Sequence, residues 1–470
     1  MRDGSGAMGI TAALVSFCHQ ISGEGLPPEV VERVKLLGLD FAGVASRGSL
    51  SDSSVPIRRF VEAVKGMGEA VVIGTSLSAH PTYAALANGA FAHSLELDDV
   101  ESESSLHPGV AVFPAALAAA ELSKADGKSF LAAIVAGYEA TIRLGKALNP
   151  SAHYGRGFHP TATCGTFGAA IAAGKLVGLS AAQLLHAFGI AGSQAAGLME
   201  FLADGAWTKR LHPGWAAHAG LVAALLAREG FTGPSQVLEG KAGFLRAYSD
   251  AGDPAQIHKG LGEEYAVMRT AVKIHACCRY MHAGIDAVLE LAARHDLTPA
   301  NVARVTLGVI PTGSFVAEPP ERTYHPRGTV DAQFSMPYGA AVALLRRRAS
   351  LEEFTDDLVS SPQVRALIDR VVCVKDPALE RGFPARWSGW AEIETVDGER
   401  KNAWIEIPKG EPENPVGWDE VVAKFDTLAT PVFSQRRRKA IVGAIAQLDT
   451  LQDIGEVSRL LRASGDRPGE

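Results

Sequence analysis

Side chains able to move protons or bind anions are concentrated in four short segments of this sequence. The first segment runs from Asn88 to Asp99, ends in paired carboxylates and leads to His107-Pro108-Gly109. A histidine that follows a helix end near an aspartate can be oriented by that carboxylate and can transfer a proton near neutral pH. The segment is therefore a candidate proton shuttle.

Two other interpretations fit the same segment. Its acidic residues between Glu96 and Glu103 are also typical of a solvated loop, with His93 as an ordinary core histidine on an alanine-rich helix face. Asp98, Asp99 and His107 are also residue types that bind Mg²⁺ or Mn²⁺, although their spacing matches no metal motif. These residues alone leave all three interpretations open.

The second segment, Gly155 to Gly165, is a glycine-containing loop that runs into a helix. His159 stands just ahead of the first helical turn, where unpaired N–H groups and the helix dipole favour anions. His159 and the hydroxyls of Thr161 and Thr163 would then lie beside a natural carboxylate site. The alternative is ordinary capping of the helix by those hydroxyls.

The third and fourth segments supply cations. Lys209 and Arg210 precede a second His-Pro-Gly helix start, where a lysine could hold a substrate carboxylate or stabilise charge developing beside it. On its own, Lys209 would more often be a surface cation. The segment from Lys273 to His282 adds two cations, two imidazoles and a phenol, near the point where helical patterns give way to strand-like ones. Clefts between domains are common ligand sites, so we expect this segment to face one.

The elements that must position these segments change character along the chain. Alanine-rich amphipathic runs from residue 10 to about 262 predict one helix after another, interrupted by a short strand at 70–74. Strands are predicted at 302–310 and 371–374, and a hairpin is predicted around Asp397-Gly398. Helical periodicity returns from Gly417.

These patterns predict three parts. Residues 1–267 form the first part of a helical domain, residues 268–408 form a domain of mixed α and β character, and residues 409–470 form C-terminal helices that pack back on the helical domain. The length of 470 residues agrees with more than one packed unit.

Composition excludes several classes of protein. With 47% hydrophobic and 21% charged residues, the chain has the make-up of a folded globular protein. A net charge of -7 argues against nucleic acid as a partner. No apolar run is long enough to cross a membrane, and we expect a cytoplasmic protein with reduced thiols. Neither GxGxxG nor a Walker motif is present, so a nucleotide site has no support.

In this order and spacing, the segments resemble the MmgE/PrpD family, which includes 2-methylcitrate dehydratases, cis-aconitate decarboxylases and iminodisuccinate epimerases. The resemblance covers nearly the whole chain. Its landmarks are Asn88-Gly89 to Asp98-Asp99, His107-Pro108-Gly109, Gly157-Phe158-His159-Pro160 with Gly165, Lys209 before His212-Pro213-Gly214, Phe231-Thr232-Gly233-Pro234 with Leu238-Glu239-Gly240, Lys273 to His282 with Ile285-Asp286-Ala287, and Ala332 to Tyr338.

The resemblance implies a mainly α fold, with a large all-helical domain and a smaller α/β lid domain. It also implies a homodimer with its active site between the two domains, and neither a metal nor an organic cofactor. The residues expected to be catalytic are Asp98, His107, His159, Lys209 and Lys273. Those expected to bind substrate are Thr161, Arg210, Arg279 and His282.

The chemistry implied by the resemblance is bond making or breaking next to a carboxylate. Lys209 and Lys273 would stabilise the negative charge that develops there, while His159 or His107 would transfer the proton. The leading hypothesis is a lyase that dehydrates a 2-methylcitrate-like acid or decarboxylates a cis-aconitate-like acid. An epimerase of an iminodisuccinate-like dicarboxylate is one alternative, and a non-catalytic carboxylate-binding helical dimer is another.

One departure from the family pattern concerns the pocket floor. Many members carry a proline ahead of the cysteine that follows the lysine at the domain boundary, whereas this chain has His275-Ala276. The His-Pro-Gly and Gly-Phe-His-Pro segments also place it nearer to the decarboxylase and epimerase branches than to the dehydratases.

Overall fold

A computed structural model describes residues 9–64 and 66–463, and its first part is a bundle of helices joined by short turns. Pro28 begins the second helix at its first turn, and the Asp126 carboxylate accepts a hydrogen bond from the Ser129 amide to cap the sixth. The helices are α1 Ile10–Gln20, α2 Pro28–Gly48, α3 Ser54–Val64, α4 Pro81–Ala92, α5 Gly109–Ser123, α6 Gly127–Leu148, α7 Pro150–Gly155, α8 Pro160–Leu176, α9 Ala181–Gly192, α10 Thr208–Arg228 and α11 Phe244–Tyr248.

Helix α8 lies at the centre of this bundle, where it packs against α5, α6, α9 and α10. Small residues let these helices approach closely. Where α4 meets α10, Gly89 and Gly214 face each other, and a methyl group on either would collide with backbone atoms of the other helix. The alanine- and glycine-rich composition of this part is therefore a packing requirement.

Two short antiparallel pairs of strands accompany the helical bundle. Strand β1, Ala70–Val71, pairs with β2, Ser78–Ala79. Strand β3, Val100–Glu101, pairs with β4, Thr270–Ala271, and so ties the loop between α4 and α5 to the start of the second half of the chain. The strand predicted at 70–74 is shorter than expected, because only its first two residues find a partner.

The second half contains a four-stranded sheet in the order β6-β5-β7-β8. Strand β5 runs parallel to β6 and antiparallel to β7, and β7 and β8 form the predicted hairpin. Helix α12 packs against β7 and β8. The strands are β5 Val302–Val309, β6 Val371–Lys375, β7 Gly389–Thr395 and β8 Arg400–Ile405, and the helices are α12 His282–Arg294, α13 Pro320–Thr323, α14 Thr329–Gln333, α15 Met336–Arg346, α16 Asp356–Val359, α17 Pro362–Ile368 and α18 Pro377–Glu380.

Three helices close the chain: α19 Trp418–Ala429, α20 Gln435–Ala446 and α21 Gly455–Leu461. Helix α19 packs along α2, and α21 contacts α5, so the C-terminal segment returns to the helical bundle. The mainly α fold with a smaller sheet-containing part is confirmed. The three-part division at residues 267 and 408 stays a prediction.

None of the helices in the described residues combines the length and the apolar character needed to cross a membrane.

The glycine contact between α4 and α10 is a test of the packing. Gly214→Ala should lower the midpoint of thermal unfolding, because the new methyl group would overlap the carbonyl oxygen of Leu86, and overpacking of this kind costs about 1–3 kcal/mol. Gly443→Ala is the matched control, since its methyl group would meet no atom within 4 Å and an exposed helical alanine is favourable. Equal midpoints for the two variants would contradict this account.

Candidate active site

The loop between α4 and α5, residues 93–108, is the centre of the candidate site. Helix α4 ends at Ala92, and the next helix begins after Pro108, so the loop is anchored at both ends. Its pairing with β4 aligns Val100 with Ala271, two residues before Lys273. The ladder therefore brings the fourth polar segment beside the first.

Glu96 bridges the two lysines. Lys209, from the first turn of α10, donates a short hydrogen bond to Glu96 Oε1. Lys273 donates to the backbone oxygen of Glu96 at 3.1 Å, and its Nζ lies 3.5 Å from Oε2. All three side chains are buried. The expectation that the two lysines lie together is met in the structure, although they share a protein carboxylate.

The backbone of Glu96 is in the left-handed region, with φ +53°. A residue with a side chain pays about 1–2 kcal/mol for this conformation, and the ion pairs with Lys209 and Lys273 offset that cost. Burial alone would raise the pKa of Glu96, but the two lysine charges outweigh it and lower the pKa below its usual range. Glu96 is thus a permanent anion, and it helps to raise the pKa of Lys273, with a larger contribution from Asp98.

Asp98 holds two imidazoles. Its Oδ2 lies 2.9 Å from His93 Nδ1 and 3.1 Å from His107 Nδ1, and His107 Nδ1 is also 2.7 Å from the backbone oxygen of Asp99. A neutral His107 that donates from Nδ1 carries no proton on Nε2 and can accept one there. Burial lowers the pKa of His107 to about 4, although Asp98 opposes the shift.

Asp99 contacts His107 through its backbone oxygen, while its carboxylate is held by two other groups. Its carboxylate accepts hydrogen bonds from the Tyr138 hydroxyl at 2.6 Å and from the Gly109 amide at 3.1 Å. Burial raises the pKa of Asp99 to about 7. The acidic loop is therefore a set of buried, individually bonded carboxylates, and its interpretation as a solvated loop is wrong for Glu96, Asp98, Asp99 and Glu101.

His159 occupies the N-cap position of α8 without a side-chain capping hydrogen bond, and its ring pairs with a histidine from α10. The Nδ1 atoms of His159 and His212 are 3.0 Å apart, so one of them donates and the other accepts. Burial, with neighbouring positive groups, lowers the pKa of His159 well below its ordinary value and that of His212 to about 3. Both rings are therefore neutral near pH 7.

A small cavity of about 30 Å³ joins these groups. Glu96, His107, His159, Lys209 and Arg279 contribute its polar lining. The remainder includes five aromatic side chains, which we call the aromatic wall: Tyr154, Tyr280, Phe315, Phe334 and Trp387. Lys209 Nζ lies 5.0 Å from the ring centre of Phe334, a cation–π distance. Two cations, the Glu96 carboxylate and two neutral imidazoles thus surround one small buried space.

The other predicted substrate-binding residues occupy different places. Thr161 accepts a hydrogen bond from the His107 amide at 3.1 Å and so positions His107. Arg279 lines the cavity, but its guanidinium also binds Glu411 at 2.6 Å. His282 lies one layer behind, with Nδ1 2.9 Å from Arg279. The structure therefore does not bring Thr161 or His282 to the cavity.

Arg210 points away from the small cavity. Its guanidinium donates to Ser53 Oγ at 3.0 Å and lines a larger pocket of about 1040 Å³. Since successive residues of α10 project about 100° apart, Lys209 and Arg210 cannot both face the same small cavity. The structure therefore does not bring Arg210 to the cavity that Lys209 lines, and its role in substrate binding stays a prediction.

Models of two domains of a known protein family match most of the chain. The MmgE/PrpD N-terminal domain matches residues 12–257, and the MmgE/PrpD C-terminal domain matches residues 275–449. The chain belongs to the MmgE/PrpD family. The predicted resemblance is confirmed.

Curated relatives extend this comparison. Cis-aconitate decarboxylase from Aspergillus terreus is 31% identical, over 99% of this chain and 98% of its own length. Cis-aconitate decarboxylase from Homo sapiens is 27% identical, over 98% of this chain and 96% of its own length. A 2-methylcitrate dehydratase from Cupriavidus necator is 26% identical over 47% of each chain.

In this MmgE/PrpD protein, one group of three side chains within the described residues has the spacing for a metal ion, namely His93, Asp98 and His107. Both imidazole Nδ1 atoms already approach the same Asp98 oxygen, so a metal there would have to displace two hydrogen bonds. Asp99 is turned towards Tyr138 and does not join the group. The metal set considered from the sequence is therefore not assembled.

Several site residues were not predicted to contact substrate or catalytic groups. Glu96 and His212 stand within recognised motifs, but their partners are more than 50 residues away, and local pattern cannot show such contacts. Phe315 and Trp387 carry no motif at all. His275, where the chain departs from the family pattern, binds Asp286 at 2.8 Å and does not line the small cavity.

The bridging role of Glu96 predicts a pH-dependent stability defect. Glu96→Gln should lower the thermal midpoint at pH 7, because removing one partner of a buried ion pair costs about 3–5 kcal/mol. Without Glu96, two buried ammonium groups would have only Asp98 as a nearby counter-charge, so the folded variant would release a lysine proton more readily than the unfolded chain. The defect should therefore shrink as pH rises. Comparing the variant with wild type at pH 7 and pH 9.5 measures this effect.

Glu290→Gln serves as the control, since Glu290 pairs with Arg294 on the surface. It should change the midpoint little at either pH. A Glu96→Gln defect of the same size at both pH values would contradict the proposed charge bridge.

Proposed function

We propose that this protein is a cofactor-independent lyase that decarboxylates a cis-aconitate-like tricarboxylic acid. The observation that carries the proposal is the placement of Lys209, His107 and His159 around one small cavity, with Lys273 bound to Glu96, which also lines it. The full-length similarity to proteins named cis-aconitate decarboxylase supports the choice of reaction. Similarity to a 2-methylcitrate dehydratase covers about half of the chain and keeps dehydration as the second candidate.

Substrate carboxylates would bind to the lysines alongside Glu96. A tricarboxylate brings several negative charges, and Glu96 neutralises only one of the two lysine charges. The ammonium groups can keep Glu96 as one partner and take a substrate carboxylate as another, since each has three donors. Arg279, partly neutralised by Glu411, would bind a further carboxylate at the cavity edge.

The chemical step moves one electron pair. In a cis-aconitate-like acid, one carboxylate is attached to the saturated carbon beside the alkene. When its C–C bond breaks, CO₂ leaves and the electron pair spreads across the three-carbon system onto the carbon that bears another carboxylate. Lys209 and Lys273 would stabilise that carboxylate as its charge grows. A proton then adds to the electron-rich carbon, and the alkene ends one position away.

His107 or His159 would deliver that proton. Both rings are neutral in the free protein, partly because Lys273 and Lys209 lie near them. A bound polyanion reverses the sign of the local charge, so it would raise the pKa values of these histidines and load one of them with a proton. The groups that bind the substrate would thereby also prepare the acid.

Entry of such a substrate requires the cavity to widen. A volume of about 30 Å³ is close to that of a single water molecule, whereas small-molecule pockets usually measure about 300–1,000 Å³. Phe315 and Trp387 come from the sheet-containing part, while Tyr154 and Met199 come from the helical bundle. A movement between these two parts would open the aromatic wall.

The predicted homodimer has a candidate surface on α10. Trp207, Leu211 and Trp215 follow one another at helical spacing, and each is exposed by 38–47%. Contiguous exposed apolar side chains are typical of protein interfaces. The cytoplasmic location, like the dimer, stays a prediction.

The reaction can be identified by NMR in D₂O. The purified protein is incubated separately with cis-aconitate, 2-methylcitrate, citrate and iminodisuccinate. We expect cis-aconitate to lose CO₂ and the product to carry one deuterium at the carbon that is protonated. Lys209→Met should lower kcat/KM at least about 100-fold, because a charge-stabilising group is lost. Lys241→Met, at an exposed lysine, is the control and should match wild type.

Each other outcome of this panel has a defined meaning. A new alkene from 2-methylcitrate would show that the protein catalyses dehydration and not decarboxylation. Solvent exchange in iminodisuccinate alone would indicate an epimerase. Binding with no turnover of any compound would favour a non-catalytic carboxylate-binding protein.

Proton uptake on binding tests the proposed loading of the acid. Propane-1,2,3-tricarboxylate, a saturated analogue, should bind at pH 7.5 with uptake of about one proton, because its charge raises the pKa of a buried histidine. Calorimetric titration in buffers of different ionisation enthalpy measures the number. His107→Gln should reduce it, whereas His295→Gln, at an exposed site, should not. Binding without any proton uptake would contradict the mechanism.

A further inference from the structure

A lysine from the C-terminal helix α19 lies where three segments meet. Lys424 Nζ donates to the backbone oxygen of Leu97 at 2.7 Å and to the backbone oxygen of Lys273 at 2.8 Å. It also lies 2.5 Å from Asp40 Oδ1 on α2. The Lys424 side chain is only 13% exposed and that of Asp40 only 1%, so solvent competes little for these contacts.

The two backbone acceptors belong to the catalytic segments. Leu97 stands between Glu96 and Asp98, and its carbonyl is part of the peptide bond to Asp98. The second carbonyl is that of Lys273 itself. One ammonium group thus binds the acidic loop and the lysine segment together, with charge-assisted hydrogen bonds that are stronger than neutral ones. Two of its donors have backbone acceptors, and the Asp40 carboxylate lies at ion-pair distance, so its position is fixed from three sides.

Asp40 explains why a charged lysine is stable there. Burial raises the pKa of Asp40, and the Lys424 charge opposes that rise. Helix α19 packs along α2, so the lysine and the aspartate are delivered by two adjoining helices. The pair is therefore built into the contact that returns the C-terminal helices to the bundle.

We infer that Lys424 is a positioning residue for the active site. It holds the acidic loop and the Lys273 segment in register, so that Lys273 meets Glu96 while Asp98 keeps its two imidazoles. Lys424 lines the larger pocket beside Arg210 and not the small cavity, so it would not touch a substrate bound in the small cavity. The inference rests on the proposed function only for its effect on turnover. The placement of the two segments by Lys424 does not depend on which acid is the substrate.

The test separates positioning from simple charge balance. Lys424→Met leaves Asp40 buried without a partner and is expected to lower the thermal midpoint. The double variant Lys424→Met/Asp40→Asn removes that unpaired charge and should recover most of the midpoint. We expect the double variant still to lose kcat on cis-aconitate by about tenfold or more, because misplacement of catalytic groups is costly. Lys439→Met, at an exposed lysine of α20, is the control.

Hydrogen exchange provides a readout that needs no substrate. Amides in residues 96–101 and 270–275 should exchange faster in the double variant than in wild type, while those of the control should not change. Full recovery of kcat in the double variant, or unchanged exchange in both segments, would overturn the inference. If wild type proves inactive on every acid tested, the proposed function fails, and the exchange data alone decide the role of Lys424.

Discussion

Two buried lysine ammonium groups require a counter-charge, and the carboxylate of Glu96 supplies it. Much of the surrounding structure serves this one interaction. The left-handed backbone at Glu96 lies between β3 and the end of α4, and the ladder of β3 with β4 brings Lys273 to it. Helix α10 delivers Lys209 from its first turn. Without the bridge, two buried positive charges would repel each other, at a cost that few local contacts could offset.

The same charge arrangement decides the state of the histidines. Asp98 orients His107, and His212 pairs with His159, but burial keeps His107, His159 and His212 neutral. A ligand that carries several carboxylates would change this balance by adding negative charge beside the rings. Binding and proton transfer would then be two consequences of one electrostatic arrangement.

Sequence patterns predicted the parts of the molecule that depend on local chemistry. The Asp397-Gly398 hairpin and the return of helices after Gly417 both follow from turn residues and periodicity. The motifs also pointed to Lys209, His107 and His159, which line the cavity, and to Lys273, which shares Glu96 with Lys209. Local sequence patterns could not predict the pairings between distant segments. The acids from Glu96 to Glu101 have the composition of a solvated loop, and only the tertiary fold buries them. Likewise, Arg210 follows Lys209 directly, yet the helix turns it towards a different pocket.

The central claim is that Lys209 and Lys273 bind an anionic ligand beside His107 and His159. A crystal structure with propane-1,2,3-tricarboxylate bound tests it most directly. We predict a ligand carboxylate within about 3 Å of both lysine Nζ atoms, with Nε2 of His107 or His159 facing the ligand carbon chain. A ligand seated instead in the larger pocket beside Arg210, with the Glu96 bridge and the small cavity unchanged, would contradict the account.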